Sequence, residues 1–336
     1  MTLLIDQPAA RTARPDPPVP ADHVAYLLQT YYGVTGELTR AAGPEEAFEL
    51  ALPFTRLTVR LSSSWEDPAA VDLEMSAMRH VACRDPALPV PRLCPTRAGT
   101  AAHPVPIGDG PFPRLLRLLT ASPGRALAAE RPDEAQSAML GGAAARLGLA
   151  LADFAHPQDA RPSAGNLLSF PDLEPLAGDL PDGEARLLAR RVFRLFAREV
   201  APQLAGLGRQ VCQAGFGGQA VLVDPTAPAY VTGIVGFGDT GRTAVALDVA
   251  IGLAGQFLVA PDPWAGAVAF LRGYLAVRPL PEVDVAVALW AAPAALVTRL
   301  LLAQRQPAES PEVSAALLDR VLAADLPALA ATVLRP

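Results

Sequence analysis

Two short apolar tracts constrain this chain more than any other stretch. Val211-Cys212-Gln213-Ala214-Gly215-Phe216-Gly217-Gly218-Gln219-Ala220-Val221-Leu222-Val223 is followed, after Asp224-Pro225-Thr226-Ala227-Pro228, by Val231-Thr232-Gly233-Ile234-Val235-Gly236-Phe237-Gly238-Asp239. The valine-rich tracts predict short β-strands, and the Asp-Pro run predicts the turn between them. With 51% hydrophobic and 18% charged residues, the chain is a packed globular protein rather than a disordered one. Its 336 residues leave room for two lobes and a sizeable core.

Ahead of this pair, residues 1–20 carry five prolines and little periodicity, which predicts a flexible leader. Ala21 to Tyr32 places Val24, Leu27, Leu28 and Tyr31 on one helical face, with Gly33 closing it. Tracts at Gly36 to Thr39, Phe48 to Leu52 and Leu57 to Leu61 alternate as strands do. Gly141 to Phe154 and Leu187 to Ala201 are helix-periodic, and the apolar tracts 282–303 and 311–334 read as terminal helices.

A net charge of −6 argues against a nucleic-acid or anionic-membrane surface. No apolar run reaches membrane-spanning length without Pro, Gly or charge, and no basic-then-apolar leader marks secretion. Cys83, Cys94 and Cys212 are odd in number and unclustered, which fits a reducing cytoplasm and neither a disulfide framework nor a zinc site. All 28 basic residues are arginine, a bias that matches the codon usage of a GC-rich bacterial genome. Without lysine, no ε-ammonium can grip a nucleotide phosphate or form a Schiff base.

In spacing, the two tracts resemble the catalytic and metal-binding loops of the aminoglycoside phosphotransferase/choline kinase-like superfamily, in particular its hydroxylysine kinase-like branch. That family writes the loops as H-x-D-x-x-x-x-N-V-L-V and I-D-F-G-D. Here the frame is kept and the chemistry is absent. Gln213 stands at the family His, Gly215 at the catalytic Asp, Ala220 at the metal-binding Asn and Gly236 at the Asp of D-F-G. The interval from Gly215 to Gly236 matches the family's. Phosphoryl transfer needs a carboxylate to orient the attacking hydroxyl and oxygen ligands for magnesium. Glycine and alanine supply neither, so the resemblance implies a pseudokinase, with no metal and no cofactor expected.

Other segments carry the same resemblance. Thr58-Val59-Arg60-Leu61 resembles the strand that bears the nucleotide-binding lysine, with Arg60 at that position. Asp72 to Val81 resembles the next helix, whose glutamate corresponds to Glu74; an Arg60–Glu74 pair is expected to be structural first and a ligand contact second. Leu88-Pro89-Val90-Pro91-Arg92 resembles the connector, and Arg114 to Arg125 the strand entering the hinge. In the turn Ala42 to Ala47, Pro44, Glu45 and Glu46 would disfavour a polyphosphate. Past His156-Pro157, only Gly165-Asn166-Leu167 stands where the family has a Trp-Asp pair, so the acceptor site is altered too. Asp248 resembles the buried carboxylate tying the core helix to the catalytic loop, a structural role, and Gly273 to Leu280 resembles G-Y-x-A-V-R-P-L.

The resemblance spans about residues 21–305. It implies an α+β, bilobal protein kinase-like fold with a small antiparallel-sheet N-lobe and a mostly helical C-lobe. The expected division is leader 1–20, N-lobe 21–118, hinge 119–124 and C-lobe 125–336.

Three readings of function follow. In the first, the inter-lobe cleft is repurposed to bind or modify a peptide or small-molecule intermediate of bacterial natural-product biosynthesis, as in a cyclisation or addition step. In the second, the chain is a non-catalytic scaffold or regulator of a partner biosynthetic enzyme. The third, remote reading is a residual small-molecule kinase. For the first, the ligand-binding candidates are Arg60, Glu74, Gln213, Gly215 and Gly236, in a groove read as neutral and glycine-lined. The polar groups left for catalysis are Asp239, Gln219, Arg242 and Cys212; their plainer roles are a turn cap for Asp239, a surface charge for Arg242 and a buried small side chain for Cys212.

Overall fold

The computed structural model describes residues 16–41, 46–181, 183–259, 262–303 and 313–334. Most of the expected leader, and Pro44 and Glu45 of the expected turn, lie outside the described residues.

Helix α1 (Ala21–Tyr31) buries Val24, Leu27 and Leu28. Strands β1 (Glu37–Arg40), β2 (Glu46–Ala51) and β3 (Arg56–Leu61) follow. In β2 and β3, Phe48, Leu50, Leu57, Val59 and Leu61 alternate inward, the period-2 pattern of a sheet with one covered face. Helix α2 (Pro68–Arg84) starts where Asp67 accepts the Ala69 N–H and Pro68 takes the first turn, so it is longer than the expected 72–81. Strands β4 (Leu93–Cys94), β5 (His103–Val105) and β6 (Arg114–Thr120) complete a six-stranded antiparallel sheet. Its order is β1-β2-β3-β6-β4, with β5 also on β6.

Strand β7 (Arg125–Ala126) leads into α3 (Glu134–Ala150), whose start is fixed by reciprocal bonds between Asp133 and Gln136. A 3₁₀ run (Leu167–Gly178) precedes α4 (Glu184–Leu195), which passes into a π turn at Phe196–Val200. Strands β8 (Arg209–Cys212), β9 (Val221–Val223), β10 (Val231–Ile234) and β11 (Gly241–Ala244) come next. They form two antiparallel sets, β10-β9-β7 and β11-β8. The tract 211–223 is therefore not one strand. It breaks at Ala214, which takes φ +56°, and the glycines that follow form a loop.

The helical part closes with α5 (Val245–Val259), α6 (Pro263–Val277), α7 (Glu282–Ala303), α8 (Ala315–Leu322) and α9 (Leu326–Leu334). The last expected helix is thus two, parted at residues 323–325. By length and composition α7 is apolar enough to cross a membrane, but Pro293 interrupts it and most of it is buried against the other helices. The fold is the expected one: an antiparallel sheet near the N-terminus and a mainly helical C-terminal part. There are two cores. The smaller joins α1 to one face of the sheet; the larger holds the helices, and α2, Leu88, Val90 and Leu119 belong to it. Helix α2 thereby ties the sheet to the helical part.

Candidate functional site

The loop between β8 and β9 and the turn after β10 meet because β8 pairs with β11 just beyond that turn, Cys212 opposite Gly241. Gln213 is fully buried, and its Nε2 donates to the Val235 carbonyl at 2.8 Å and the Gly236 carbonyl at 3.1 Å. Two accepting carbonyls fix the amide orientation, and Gln213 Oε1 has no hydrogen-bond partner among the described residues. The Val235 N–H donates to the Ala220 carbonyl at 2.8 Å, so the loop and the turn are stitched together twice.

The degenerate positions are brought together by this stitching. Gly236 has φ +68°, and a Cβ there would stand 2.8 Å from Ala220 Cβ. A Cβ on Gly215 would stand 3.3 Å from the Gly236 carbonyl oxygen. The donor set does not fit magnesium: neither position carries an oxygen-bearing side chain. Among the described residues no group of three His, Cys, Asp or Glu is placed to hold a metal ion.

Below this centre, Asp248 Oδ1 accepts the Ala214 N–H at 2.9 Å. Burial raises the Asp248 pKa to about 6, against the opposing pull of that N–H and of Arg278. Arg278 Nη2 donates to Gln210 Oε1 at 2.9 Å, and Gln210 Nε2 to the Gly148 carbonyl at 2.6 Å. This polar chain joins α3, β8, the start of α5 and the residue that follows α6. Cys212 is buried beside it, and burial pushes its thiol pKa well up, which suits an inert thiol.

The remaining candidates disperse. Gln219 is exposed. Arg242 is also exposed and forms a fork with Asp159, at 2.7 Å from Nη2 and 3.3 Å from Nε, so it is a paired charge rather than a loose one. That pairing holds the Asp159 carboxyl below its usual range. Asp239 does more than cap its turn: it accepts the Ser163 hydroxyl, and the neighbouring Gly238 carbonyl accepts from Arg161. Against the sheet, Glu74 on α2 accepts from Arg60 at 3.4 Å and from Arg117 at 2.7 Å.

Arg299, on α7, brings its guanidinium to Gly217 and Gly218 of the loop. Sequence reasoning missed Arg117, Arg161, Ser163 and Arg299. For Arg299 a signal existed, since it is a lone charge in the apolar stretch 285–303, and buried charges require partners.

Residues 49–290 match the phosphotransferase enzyme family. Hydroxylysine kinase from Mus musculus is 26% identical over 240 residues, covering 68% of this chain. The match spans 63% of that kinase's own length. Among solved structures, the amicoumacin kinase hAmiN in complex with AMP-PNP, Ca2+ and Ami aligns with TM-score 0.66 at 14% identity, over 94% of each chain. A microcompartment-associated aminopropanol kinase aligns with TM-score 0.64 at 17% identity, over 90% of this chain and 94% of that one. At these identities the structural likeness is one of fold.

Proposed function

This chain belongs to the phosphotransferase enzyme family, and we propose that it is a pseudokinase whose cleft has been turned from phosphoryl transfer to another ligand. One observation carries the reading. The positions that resemble the two metal ligands, Ala220 and Gly236, lie so close that a single added Cβ would make a 2.8 Å contact. The Gln213 amide holds the Gly236 carbonyl and the Val235 N–H holds the Ala220 carbonyl at this junction. Restoring one family residue would therefore mean moving backbone, and the loss is built into the loop rather than confined to side chains. Gly215 and the absence of lysine point the same way.

On this reading the protein binds or modifies a peptide or small-molecule intermediate in the cytoplasm of a bacterium making a natural product, in a cyclisation or addition step. The polar side chains and glycines gathered at the two loops support a ligand-binding role over action through the outer surface alone. The test has two arms. ATP with magnesium at millimolar concentration is expected to leave the melting temperature unchanged, since a ligand of the native state must raise it. Gly215→Asp is expected to remain folded, to gain no kinase activity and to stop pathway product in the producing strain. Magnesium-dependent stabilisation by ATP refutes the pseudokinase reading; undiminished product from folded Gly215→Asp refutes the repurposed cleft and favours a scaffold.

A further inference from the structure

Arg161 reaches the turn that carries Asp239 and Arg299 reaches the glycine loop before β9, and neither belongs to the motif frame. Arg161 Nη2 donates to the Gly238 carbonyl, while its Nε is buried without a hydrogen-bond partner among the described residues. Arg299 comes from α7. Its Nη1 lies 3.1 Å from where a Cβ on Gly218 would stand, and its Nη2 lies 3.8 Å from the same point on Gly217. With φ of +138° and +52° at Gly217 and Gly218, the loop presents bare backbone to that guanidinium.

The charges around the turn do not balance. Burial pushes the Arg299 pKa down, and the Asp239 carboxylate acts against that fall. Asp239 is already engaged by the Ser163 hydroxyl. Among the described residues Asp239 forms no ion pair with either arginine; Arg161 binds the neighbouring Gly238 carbonyl instead. In addition, no hydrogen bond runs from the backbone N–H groups of Gly217 and Gly218 to another described residue. Buried donors left unpaired are costly, and an incoming oxyanion satisfies several at once. The turn that holds Gly217 also holds Ala220, through the Ala220 N–H to the Gly217 carbonyl at 2.9 Å. The positive charge is therefore one turn away from the positions that resemble the family's metal ligands.

We infer that Arg299 and Arg161, with the backbone of Gly217 and Gly218, form a binding site for an oxyanion, a carboxylate or phosphate carried by the ligand of the cleft. This rests on the reading that the cleft binds something other than Mg·ATP. Arg299 supplies fixed positive charge beside a centre that carries no metal-ligand side chains, and Arg161 contributes a directed N–H. Asp239 and Ser163 limit the surplus charge and keep the turn in place.

The experiment is thermal melting of the full chain in EDTA, without nucleotide, titrated separately with inorganic phosphate and with succinate. The parent protein is expected to gain a saturable rise in melting temperature with at least one probe, and the more effective probe identifies the class of oxyanion. Arg299→Ala and Arg161→Ala should each weaken the apparent affinity by roughly 10–100-fold, the range of charge-assisted hydrogen bonds. Asp239→Asn, which removes the competing carboxylate, should strengthen it. Arg198→Ala, which loses only an exposed pair with Glu199, should match the parent. If Arg299→Ala does not fold, Arg299→Lys carries the test, keeping the charge but losing the fork, with an intermediate loss expected. No saturable shift in the parent, or equal affinity in the folded Arg299 and Arg161 variants, overturns the site. Because magnesium and ATP are absent, that failure is distinct from failure of the pseudokinase reading, which only the nucleotide titration decides.

Discussion

Arg60 on β3 and Arg117 on β6 stand directly opposite each other in the antiparallel register, and the Glu74 carboxylate from α2 serves both. Like charges across a strand pair repel, so Glu74 converts a repulsive pair into a bridge between sheet and helix. Arg117 is the deeper partner: its side chain is 3% exposed against 23% for Arg60.

Removing the shared carboxylate should therefore be severe. Glu74→Gln is expected to lower stability by about 3–5 kcal/mol, the range for breaking a buried pair. Arg117→Ala should cost clearly more than Arg60→Ala. Urea denaturation of the three variants checks the order, and equal midpoints for the two arginine variants would show that Arg117 is not the principal partner.

Gly236→Ala tests the closeness of the two loops. A side chain at φ +68° costs about 1–2 kcal/mol by itself, and the contact with Ala220 adds to it. A fall in the unfolding midpoint is expected, larger than for Gly178→Ala, where an added Cβ meets nothing within 4 Å. Equal midpoints would mean that the turn after β10 gives way freely, which removes the main support for the pseudokinase reading.

The two carbonyls held by Gln213 make a third test. Gln213→Leu keeps the bulk and removes the donor, leaving the Val235 and Gly236 carbonyls without it. A loss of about 1–3 kcal/mol is expected for unsatisfied buried acceptors. Hydrogen exchange should also quicken at the Val235 amide, which joins the same loops. Unaltered exchange in a folded variant would show that the amide contributes nothing to the junction.

Asp248 sets a pH dependence. Its pKa is raised from 3.8 to about 6, chiefly by burial, so the native state holds this proton more tightly than the unfolded chain. Its favourable contribution is complete below about pH 4 and is lost as pH rises through about 6. The stability of the parent relative to Asp248→Asn should thus fall by about 1–3 kcal/mol between pH 4 and pH 7. Asp248→Ala, which abandons the Ala214 N–H, should be less stable than Asp248→Asn at both pH values. A pH-independent difference between parent and Asp248→Asn would place the carboxyl in better-hydrated surroundings.

The frame of this protein was legible in the sequence because its signals are local. The alternation in β2 and β3 and the apolar periodicity of the helices depend on residues a few positions apart. The interval from Gly215 to Gly236 located both loops, and the residue types at 213, 215, 220 and 236 are the ground on which the pseudokinase reading is proposed. Tertiary structure decided the rest. That Gln213 caps the carbonyls of Val235 and Gly236, that Ala220 touches Gly236, that Arg117 outranks Arg60 at Glu74, and that Arg299 reaches Gly218 are contacts between distant segments. Strand register sets the first three and helix packing the last. A side chain's charge can be read from sequence, whereas the partner that balances it is chosen only when the core closes and water leaves.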